Sequence, residues 1–166
     1  MALFLPDIYL DKIINVDIST LIKKGIKAVV LDVDNTLTHH DSQIVTDEVI
    51  SWLKNAKENG LQLTIVSNNN EKRIKPFADK IGLEYIASGC KPLTIGFTKA
   101  CKKYSLKPEQ IAVIGDQIYT DILGGNLKGM YTILVTPFEY ETGRLFKLKR
   151  RLEKIHINKY NKKHNG

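Results

Sequence analysis

The stretch AVVLDVDNT, residues 28–36, decides the fold, because four apolar residues run directly into two aspartates. A short run rich in β-branched residues predicts a buried strand. An unpaired carboxylate is costly inside such a run. We therefore expect Asp32 and Asp34 at the carboxyl end of the strand, where they can meet a polar ligand.

Four further apolar runs follow, separated by stretches with helical periodicity. The predicted strands are 28–34, 61–68, 84–88, 111–116 and 131–136, and the predicted helices are 46–59, 70–81, 92–104 and 118–127. Strands that alternate with helices over short connections form parallel sheets. We therefore expect an α/β fold, a three-layer Rossmann-like parallel sheet with helices on both faces.

The length of 166 residues predicts a single domain, 1–166. Its core is expected at about 28–136, with an N-terminal extension at 1–27 and a basic C-terminal segment at 137–166. No apolar run is long enough to span a bilayer, and no signal peptide is visible. Two cysteines do not make a disulfide framework, so we expect a cytoplasmic protein.

Polar residues follow four of the predicted strands. Ligands of open α/β sheets bind beyond the carboxyl ends of the strands, so these residues are expected to share one site. They are Asp32 and Asp34, Ser67 and Asn68, Lys91, and Asp116 with Asp121. Carboxylates suit a hard divalent cation, whereas an ammonium and a hydroxyl suit a phosphate.

This mixture of groups suits phosphoryl transfer through a covalent intermediate. A carboxylate such as Asp32 can attack phosphorus, provided that a cation removes its repulsion from the phosphate. Asp34 can give a proton to the leaving oxygen and later take one from water. Lys91 and Ser67 can spread the charge that develops on the phosphoryl oxygens.

At these residues the sequence strongly resembles the haloacid dehalogenase (HAD) superfamily. Its four motifs occur in the family's order: Asp-x-Asp-x-Thr at 32–36, an apolar strand ending in Ser67-Asn68, Lys91 before a helix, and Gly115-Asp116 followed by Asp121. An aspartate two residues after the first is typical of the phosphatase branch. The resemblance therefore implies a HAD-like fold and a phosphoric monoester hydrolase.

The resemblance also implies a role for each motif residue. Asp32 would be the nucleophile and Asp34 the acid/base, while Ser67, Asn68 and Lys91 would bind the phosphate. Mg²⁺ would be held by Asp32, the main-chain carbonyl of Asp34 and Asp116, with Asp121 as a ligand or as a partner of one. His39 and His40 follow the first motif in a turn, where they either touch substrate or face solvent.

The gaps between the motifs bear on the size of the substrate. Many HAD phosphatases carry a cap domain between the first and second motifs or between the second and third. Neither gap in this chain, Thr36 to Ser67 or Asn68 to Lys91, has room for one. By this analogy there is no cap domain, the site is open, and the phosphate belongs to something large, such as a protein, a nucleic-acid end or a lipid head group.

The excess positive charge lies in one segment. Nine Lys or Arg and one acidic residue occupy 144–166, against 16 Lys or Arg and 17 acidic residues elsewhere. Leu145, Leu148, Leu152 and Ile155 recur at helical spacing among these cations, which predicts a basic amphipathic helix. Either this helix lies on an anionic membrane and makes the protein peripheral, or it docks its apolar stripe on the domain.

Small size, the lack of a cap and the Asp-Val-Asp-Asn-Thr-Leu motif resemble the HAD subfamily IIIA group that includes phosphatidylglycerophosphate phosphatases. Those enzymes convert phosphatidylglycerophosphate into phosphatidylglycerol, so this lipid is the favoured substrate. A phosphoprotein, a nucleotide or a sugar phosphate remains an alternative substrate. An alternative of another class is a non-catalytic protein that binds nucleic acid through its basic tail.

Overall fold

The computed structural model describes residues 2–164 and places six parallel strands in one sheet, one more than the five strands predicted from the sequence. The strands are β1 (Ile8–Leu10), β2 (Ala28–Leu31), β3 (Gln62–Val66), β4 (Glu84–Ile86), β5 (Ile111–Gly115) and β6 (Tyr131–Val135). Their order is β1-β6-β5-β2-β3-β4, and all five pairings are parallel. Met1 and the last two residues of the predicted basic segment lie outside the described range.

Helices connect the strands and cover the sheet. They are α1 (Ile18–Lys23), α2 (Asp47–Glu58), α3 (Glu71–Ile81), α4 (Ile95–Tyr104), α5 (Leu123–Lys128) and α6 (Arg144–His164). A π-helical turn, Ile118–Ile122, leads into α5. The side chains of Thr46 and Asn70 accept backbone hydrogen bonds at the starts of α2 and α3, as expected for these residue types.

The alternation of side chains along each strand creates two apolar layers. On β2, Val29 and Leu31 pack with α1, α2 and α3, whereas Ala28 and Val30 pack with α4 on the opposite face. Successive strand residues point to opposite faces, so an apolar run of this kind is buried twice. The structure thus confirms the predicted three-layer α/β fold with helices on both faces.

The predicted N-terminal extension contributes to the sheet. β1 adds a sixth strand beside β6, and Asp7 Oδ2 accepts a hydrogen bond from the Thr132 amide at 2.8 Å. Further along, Trp52 Nε1 donates to the Val16 carbonyl at 2.9 Å, which ties the segment to α2. β1 is not among the strands predicted from the sequence, because a three-residue strand is too short to show a periodicity.

The basic C-terminal segment forms α6, a helix of 21 residues that docks on the domain. Its buried residues are Arg150 and Glu153, and Ile157 packs against the residues of the π-helical turn. Leu145, Leu148, Leu152 and Ile155 are exposed instead. Of the two alternatives for this helix, the one in which the apolar stripe packs on the domain is therefore wrong, since the helix docks through Arg150 and Glu153.

Among residues 2–164, no helix is both long enough and apolar enough to cross a bilayer.

Candidate active site

The central strands bring the motif residues together. Asp32 directly follows β2, Ser67 follows β3 on one side, and Asp116 follows β5 on the other. The chain leaves β2 toward β3 and only later returns to β5, so the connections diverge beside β2. Such a divergence opens a crevice at the carboxyl ends of the strands.

Three carboxylates meet in that crevice. Asp32, Asp116 and Asp121 each offer an oxygen, and these oxygens lie within 4.8 Å of one another. Asp121 can approach because residue 115 is glycine: a Cβ there would lie 2.2 Å from the Asp121 Cγ. Asp116 Oδ1 is buried and accepts no hydrogen bond from any described residue. Oxygen ligands at this spacing, one of them unsatisfied, fit a divalent cation such as Mg²⁺.

Lys91 lies between two of these carboxylates. Its Nζ is 2.8 Å from Asp32 Oδ1 and 2.5 Å from Asp121 Oδ1. Asn68 holds the main chain of Lys91 on both sides, accepting from its N–H at 2.6 Å and donating to its carbonyl at 2.9 Å. The structure thus shows the Asn68 side chain fixing the position of Lys91, whereas the sequence suggested only that it binds phosphate.

Asp34 is fixed by residues that the sequence analysis did not assign to the site. Its Oδ1 accepts from Arg73 Nη2 at 2.8 Å, and its Oδ2 accepts from Asn69 Nδ2 at 2.6 Å. The Ser67 hydroxyl accepts from the main-chain N–H of Asn69 at 3.1 Å. Asn69 therefore links the second carboxylate to the candidate phosphate-binding hydroxyl.

A buried ionic cluster joins α6 to the site. Arg150 Nη2 lies 2.5 Å from Asp116 Oδ2, and Nη1 donates to the Asp116 carbonyl at 2.9 Å. The same guanidinium contacts Glu141 at 3.0 Å and Glu153 at 2.9 Å. Glu153 in turn accepts from the Ile118 amide, at the start of the turn that carries Asp121. Two elements that present candidate metal ligands are thus held by α6.

Burial changes the proton affinities of these groups. It raises the pKa of Asp32 to about 6, with Lys91 opposing the rise, and it raises the pKa of Asp116 well above its ordinary value. Burial alone would lower the pKa of Lys91, but the Asp121 and Asp32 carboxylates overcome it and raise that pKa. Lys91 therefore stays an ammonium, while a bound cation would favour the charged forms of the aspartates.

The site opens into a cleft of about 280 Å³. Its walls include Ser67, Asn69 and His40, together with Phe146 and Lys149 of α6. The two histidines that follow the first motif differ, since His40 lines the cleft whereas His39 packs against Phe138 at 5.0 Å between ring centroids.

Solved structures share this fold at low sequence identity. An uncharacterised protein from Listeria monocytogenes superposes with a TM-score of 0.59 at 18% identity, covering 71% of this chain and 85% of its own. NagD from Escherichia coli gives 0.56 at 14% identity, covering 66% and 87%. At these identities the likeness shows that the α/β fold is shared.

Sequence relatives, together with the order of the four motifs, identify a phosphatase of the HAD superfamily, a phosphoric monoester hydrolase. They also show the family. The family model described as mitochondrial PGP phosphatase, where PGP is phosphatidylglycerophosphate, matches residues 1–137, and the chain belongs to this family. "Probable phosphatase YqeG" of Bacillus subtilis is 39% identical over 151 residues, covering 91% of this chain and 88% of its own. The mitochondrial phosphatidylglycerophosphatase GEP4 of Saccharomyces cerevisiae is 33% identical over 133 residues, covering 72% and 71%.

Proposed function

We propose that this protein is a Mg²⁺-dependent phosphatase without a cap domain, which hydrolyses phosphatidylglycerophosphate to phosphatidylglycerol and phosphate. The observation that carries the proposal is the convergence of Asp116, Asp121 and Lys91 on Asp32 in a chain of this family. A relative named phosphatidylglycerophosphatase supports the choice of lipid.

In the first half of the reaction, an oxygen of Asp32 attacks phosphorus and the bond to the glycerol oxygen breaks. Asp34 supplies the proton that this oxygen needs as it leaves. The result is an aspartyl phosphate on Asp32. Both oxygens of Asp34 accept hydrogen bonds, from Arg73 and from Asn69, and these contacts hold the carboxyl group at the cleft wall.

In the second half, water attacks the phosphorus of the aspartyl phosphate, the bond to the Asp32 oxygen breaks, and free phosphate leaves. Asp34 takes the proton from that water, which returns it to its starting form. Lys91 and the Ser67 hydroxyl bind the phosphoryl oxygens and balance their charge. Asn68 contributes by holding the main chain of Lys91.

The three clustered aspartates would hold the metal ion. A bound Mg²⁺ supplies positive charge that reduces the repulsion between Asp32 and the phosphate. Arg150 binds Oδ2 of Asp116, so Oδ1, which has no hydrogen-bond partner within residues 2–164, is the atom that this residue offers to a cation.

The connections beside the site support an open active site. Between β2 and β3 the structure has one helix, α2, and between β3 and β4 it has one helix, α3. A head group that stands on a bilayer can enter an open cleft without leaving the membrane. We therefore propose a cytoplasmic protein that works peripherally at the membrane surface.

The nucleophile assignment is tested with Asp32→Asn, assayed on an aryl phosphate with Mg²⁺ present. We expect loss of turnover by at least about 10³-fold, since an amide cannot form the aspartyl phosphate. Asp47→Asn, which changes an exposed aspartate at the start of α2, is the matched control and should remain active. Substantial turnover by Asp32→Asn would rule out the covalent mechanism.

The substrate is tested separately, with phosphatidylglycerophosphate in detergent micelles beside a soluble panel of a phosphopeptide, nucleotides and sugar phosphates. We expect the highest kcat/KM for the lipid. A clear preference for one of the soluble compounds would replace the lipid with that class and leave the phosphatase chemistry intact.

A further inference from the structure

One face of α6 remains apolar and exposed although the helix is docked. Leu145, Leu148, Leu152 and Ile155, which we call the α6 stripe, are 83%, 55%, 43% and 61% exposed. They are spaced by three, four and three residues, so they form one continuous line along about three turns of helix. By contrast, Arg150 and Glu153 are 7% and 3% exposed.

This distribution reverses the usual pattern of a helix docked on a globular domain. Such a helix normally buries its apolar side chains and exposes its charges. In α6 the ionic contacts of Arg150 hold the helix in place, so the stripe is not needed for docking. A contiguous exposed apolar line with charged neighbours marks a surface that contacts something else.

The charges beside the α6 stripe have a single sign. Arg144, Lys147, Arg151 and Lys154 are exposed, and none of them forms an ion pair with another residue within 2–164. The one acidic residue from 144 to 166 is Glu153, which is buried against Arg150. The exposed side of α6 therefore presents apolar side chains and cations, with no acidic residue of its own helix to offset them.

The same helix borders the active-site cleft. Phe146 and Lys149, from its first two turns, line the cleft, and Lys149 Nζ donates to the Gln117 side chain. A partner that binds the α6 stripe would thus lie next to the active-site cleft.

We propose that the α6 stripe and its flanking cations seat the protein on the surface of an anionic phospholipid bilayer. The apolar side chains enter the boundary between head groups and acyl chains, and the cations contact the lipid phosphates. The role of this membrane surface rests on the proposed lipid substrate, but vesicle binding can be measured without turnover.

The test is co-sedimentation of the full chain with vesicles of phosphatidylcholine alone, or of phosphatidylcholine and phosphatidylserine in equal parts. Phosphatidylserine is chosen because it is neither substrate nor product of the proposed reaction. We expect binding to the anionic vesicles that salt weakens, and at least about tenfold weaker binding to the neutral ones.

Two triple variants separate the contributions of apolar area and charge. Leu145→Gln/Leu148→Gln/Ile155→Gln should lower the vesicle partition coefficient at least about tenfold. Its matched control is Ile22→Gln/Ile44→Gln/Ile50→Gln, which changes three exposed isoleucines elsewhere and should bind as the unmodified protein does.

For charge, Lys147→Gln/Arg151→Gln/Lys154→Gln should weaken binding on the order of 100-fold at low salt, since each cation near an anionic surface is worth about fivefold. Lys23→Gln/Lys72→Gln/Lys102→Gln removes the same charge from exposed positions outside α6 and should have little effect.

Several results would overturn the inference. It fails if the stripe variant binds anionic vesicles as tightly as its control, or if the stripe variant dissociates a dimer that forms without lipid. It also fails if the protein prefers RNA to anionic vesicles under the same salt conditions.

Failure of the inference and failure of the proposed function look different. Stripe variants should keep full activity on a soluble aryl phosphate, and Asp32→Asn should still bind vesicles. If the protein does not bind vesicles but hydrolyses the lipid in micelles, only the proposed role of the α6 surface is ruled out. If it binds vesicles but does not hydrolyse phosphatidylglycerophosphate, only the proposed substrate is ruled out.

Discussion

At the scale of single residues, the two oxygens of Asp116 have different environments. Oδ2 is bound by Arg150, whereas Oδ1 is buried without a hydrogen-bond partner in the described chain. A carboxylate that is free to rotate would exchange these two oxygens. The guanidinium, which also binds the Asp116 carbonyl, fixes the orientation, so a candidate metal ligand depends on a side chain from the last helix.

Arg150→Ala should destabilise the protein and reduce its turnover. The substitution leaves Asp116, Glu141 and Glu153 without their shared cation in a buried place, which costs about 3–5 kcal/mol of the free energy of unfolding. Arg150→Lys should recover only part of this loss, because an ammonium cannot reproduce the planar, multiple contacts of a guanidinium.

Urea denaturation measures the stability of these variants, and aryl-phosphate hydrolysis measures their turnover. The control is Arg151→Ala, next in sequence but exposed, which should change the unfolding free energy by less than about 0.5 kcal/mol. Equal stabilities of Arg150→Ala and Arg151→Ala would mean that the buried cluster does not hold α6.

Mg²⁺ binding should weaken as the pH falls through about 6. Burial raises the pKa of Asp32 to about 6, so below this pH a proton competes with the cation for the carboxylate. We expect the affinity to fall by up to about tenfold per pH unit below that point, as for one competing proton. Calorimetric titration of Mg²⁺ above and below this pH measures the effect, and an unchanged affinity would contradict it.

In the metal-free protein, the contribution of Asp32 to stability should have the opposite pH dependence to the Mg²⁺ affinity. Its folded state holds the Asp32 proton more tightly than the unfolded chain, whose aspartates have an ordinary pKa of 3.8. The contribution of Asp32 to the free energy of unfolding therefore rises as the pH falls from about 6 toward 4. Asp32→Asn should lack this component in denaturation experiments, whereas Asp47→Asn should retain it.

The sequence predicts which residues the central strands bring together, but not the residues that hold them. Asp32, Ser67 and Asp116 lie at the ends of adjacent strands, and the carboxyl ends of parallel strands meet at one edge of the sheet. Arg73 reaches Asp34 from the first turn of α3, and this contact depends on the angle at which the helix packs. The run Asn68-Asn69-Asn70 indicates hydrogen bonding beyond β3, but the sequence does not separate the three roles. Asn68 holds Lys91, Asn69 binds Asp34, and Asn70 caps α3.

At the scale of elements, the start of β1 is held by hydrogen bonds between Asp7 and Thr132. Asp7 accepts from both the amide and the hydroxyl of Thr132, while its own amide donates to the Thr132 carbonyl. With only three residues in the strand, these bonds set where β1 begins to pair with β6.

Asp7→Ala should lower the free energy of unfolding by about 1–3 kcal/mol, because the Thr132 donors lose their acceptor. Turnover at saturating substrate should change little, since Asp7 is absent from the active-site cleft. Thermal denaturation measures the loss, with Asp11→Ala, an exposed aspartate just after β1, as the control. Equal melting temperatures for the two variants would show that the hydrogen bonds between Asp7 and Thr132 do not hold β1.

The helix α6 shows where sequence patterns mislead. An apolar stripe at helical spacing normally predicts the buried side, because apolar burial usually outweighs other contacts. Here the buried side contains Arg150 and Glu153, which bind Asp116 and the Ile118 amide in a distant part of the sequence. A helical periodicity gives the orientation of residues about an axis, but it cannot reveal that Asp116 is placed to form an ion pair with the helix.

At the scale of the whole molecule, charge is strongly asymmetric. The residues from 144 onward carry a net +8, and the remainder of the chain carries −1. This asymmetry is visible in the sequence, as is the fold class. The direction in which the cations point is visible only once α6 is docked.

Salt should therefore affect the enzyme differently on two substrates. On phosphatidylglycerophosphate in anionic vesicles, activity should fall several-fold as the salt concentration rises, because screening weakens attraction to the surface. On an aryl phosphate the same change should matter much less. Parallel assays over one salt series measure the ratio, and equal salt dependence on both substrates would contradict the expectation.

The pairing of β1 with β6 also constrains how the protein is made. Ile8 lies beside Ile133, so the strand leaves the ribosome 125 residues before its partner. At about 5–20 residues per second, the delay is roughly 6–25 seconds. During this time the apolar segment around β1 has no edge on which to pair, and the sheet cannot be completed until β6 has emerged. The pairing of β1 therefore comes late in synthesis, and its apolar side chains stay without their β6 partners until then.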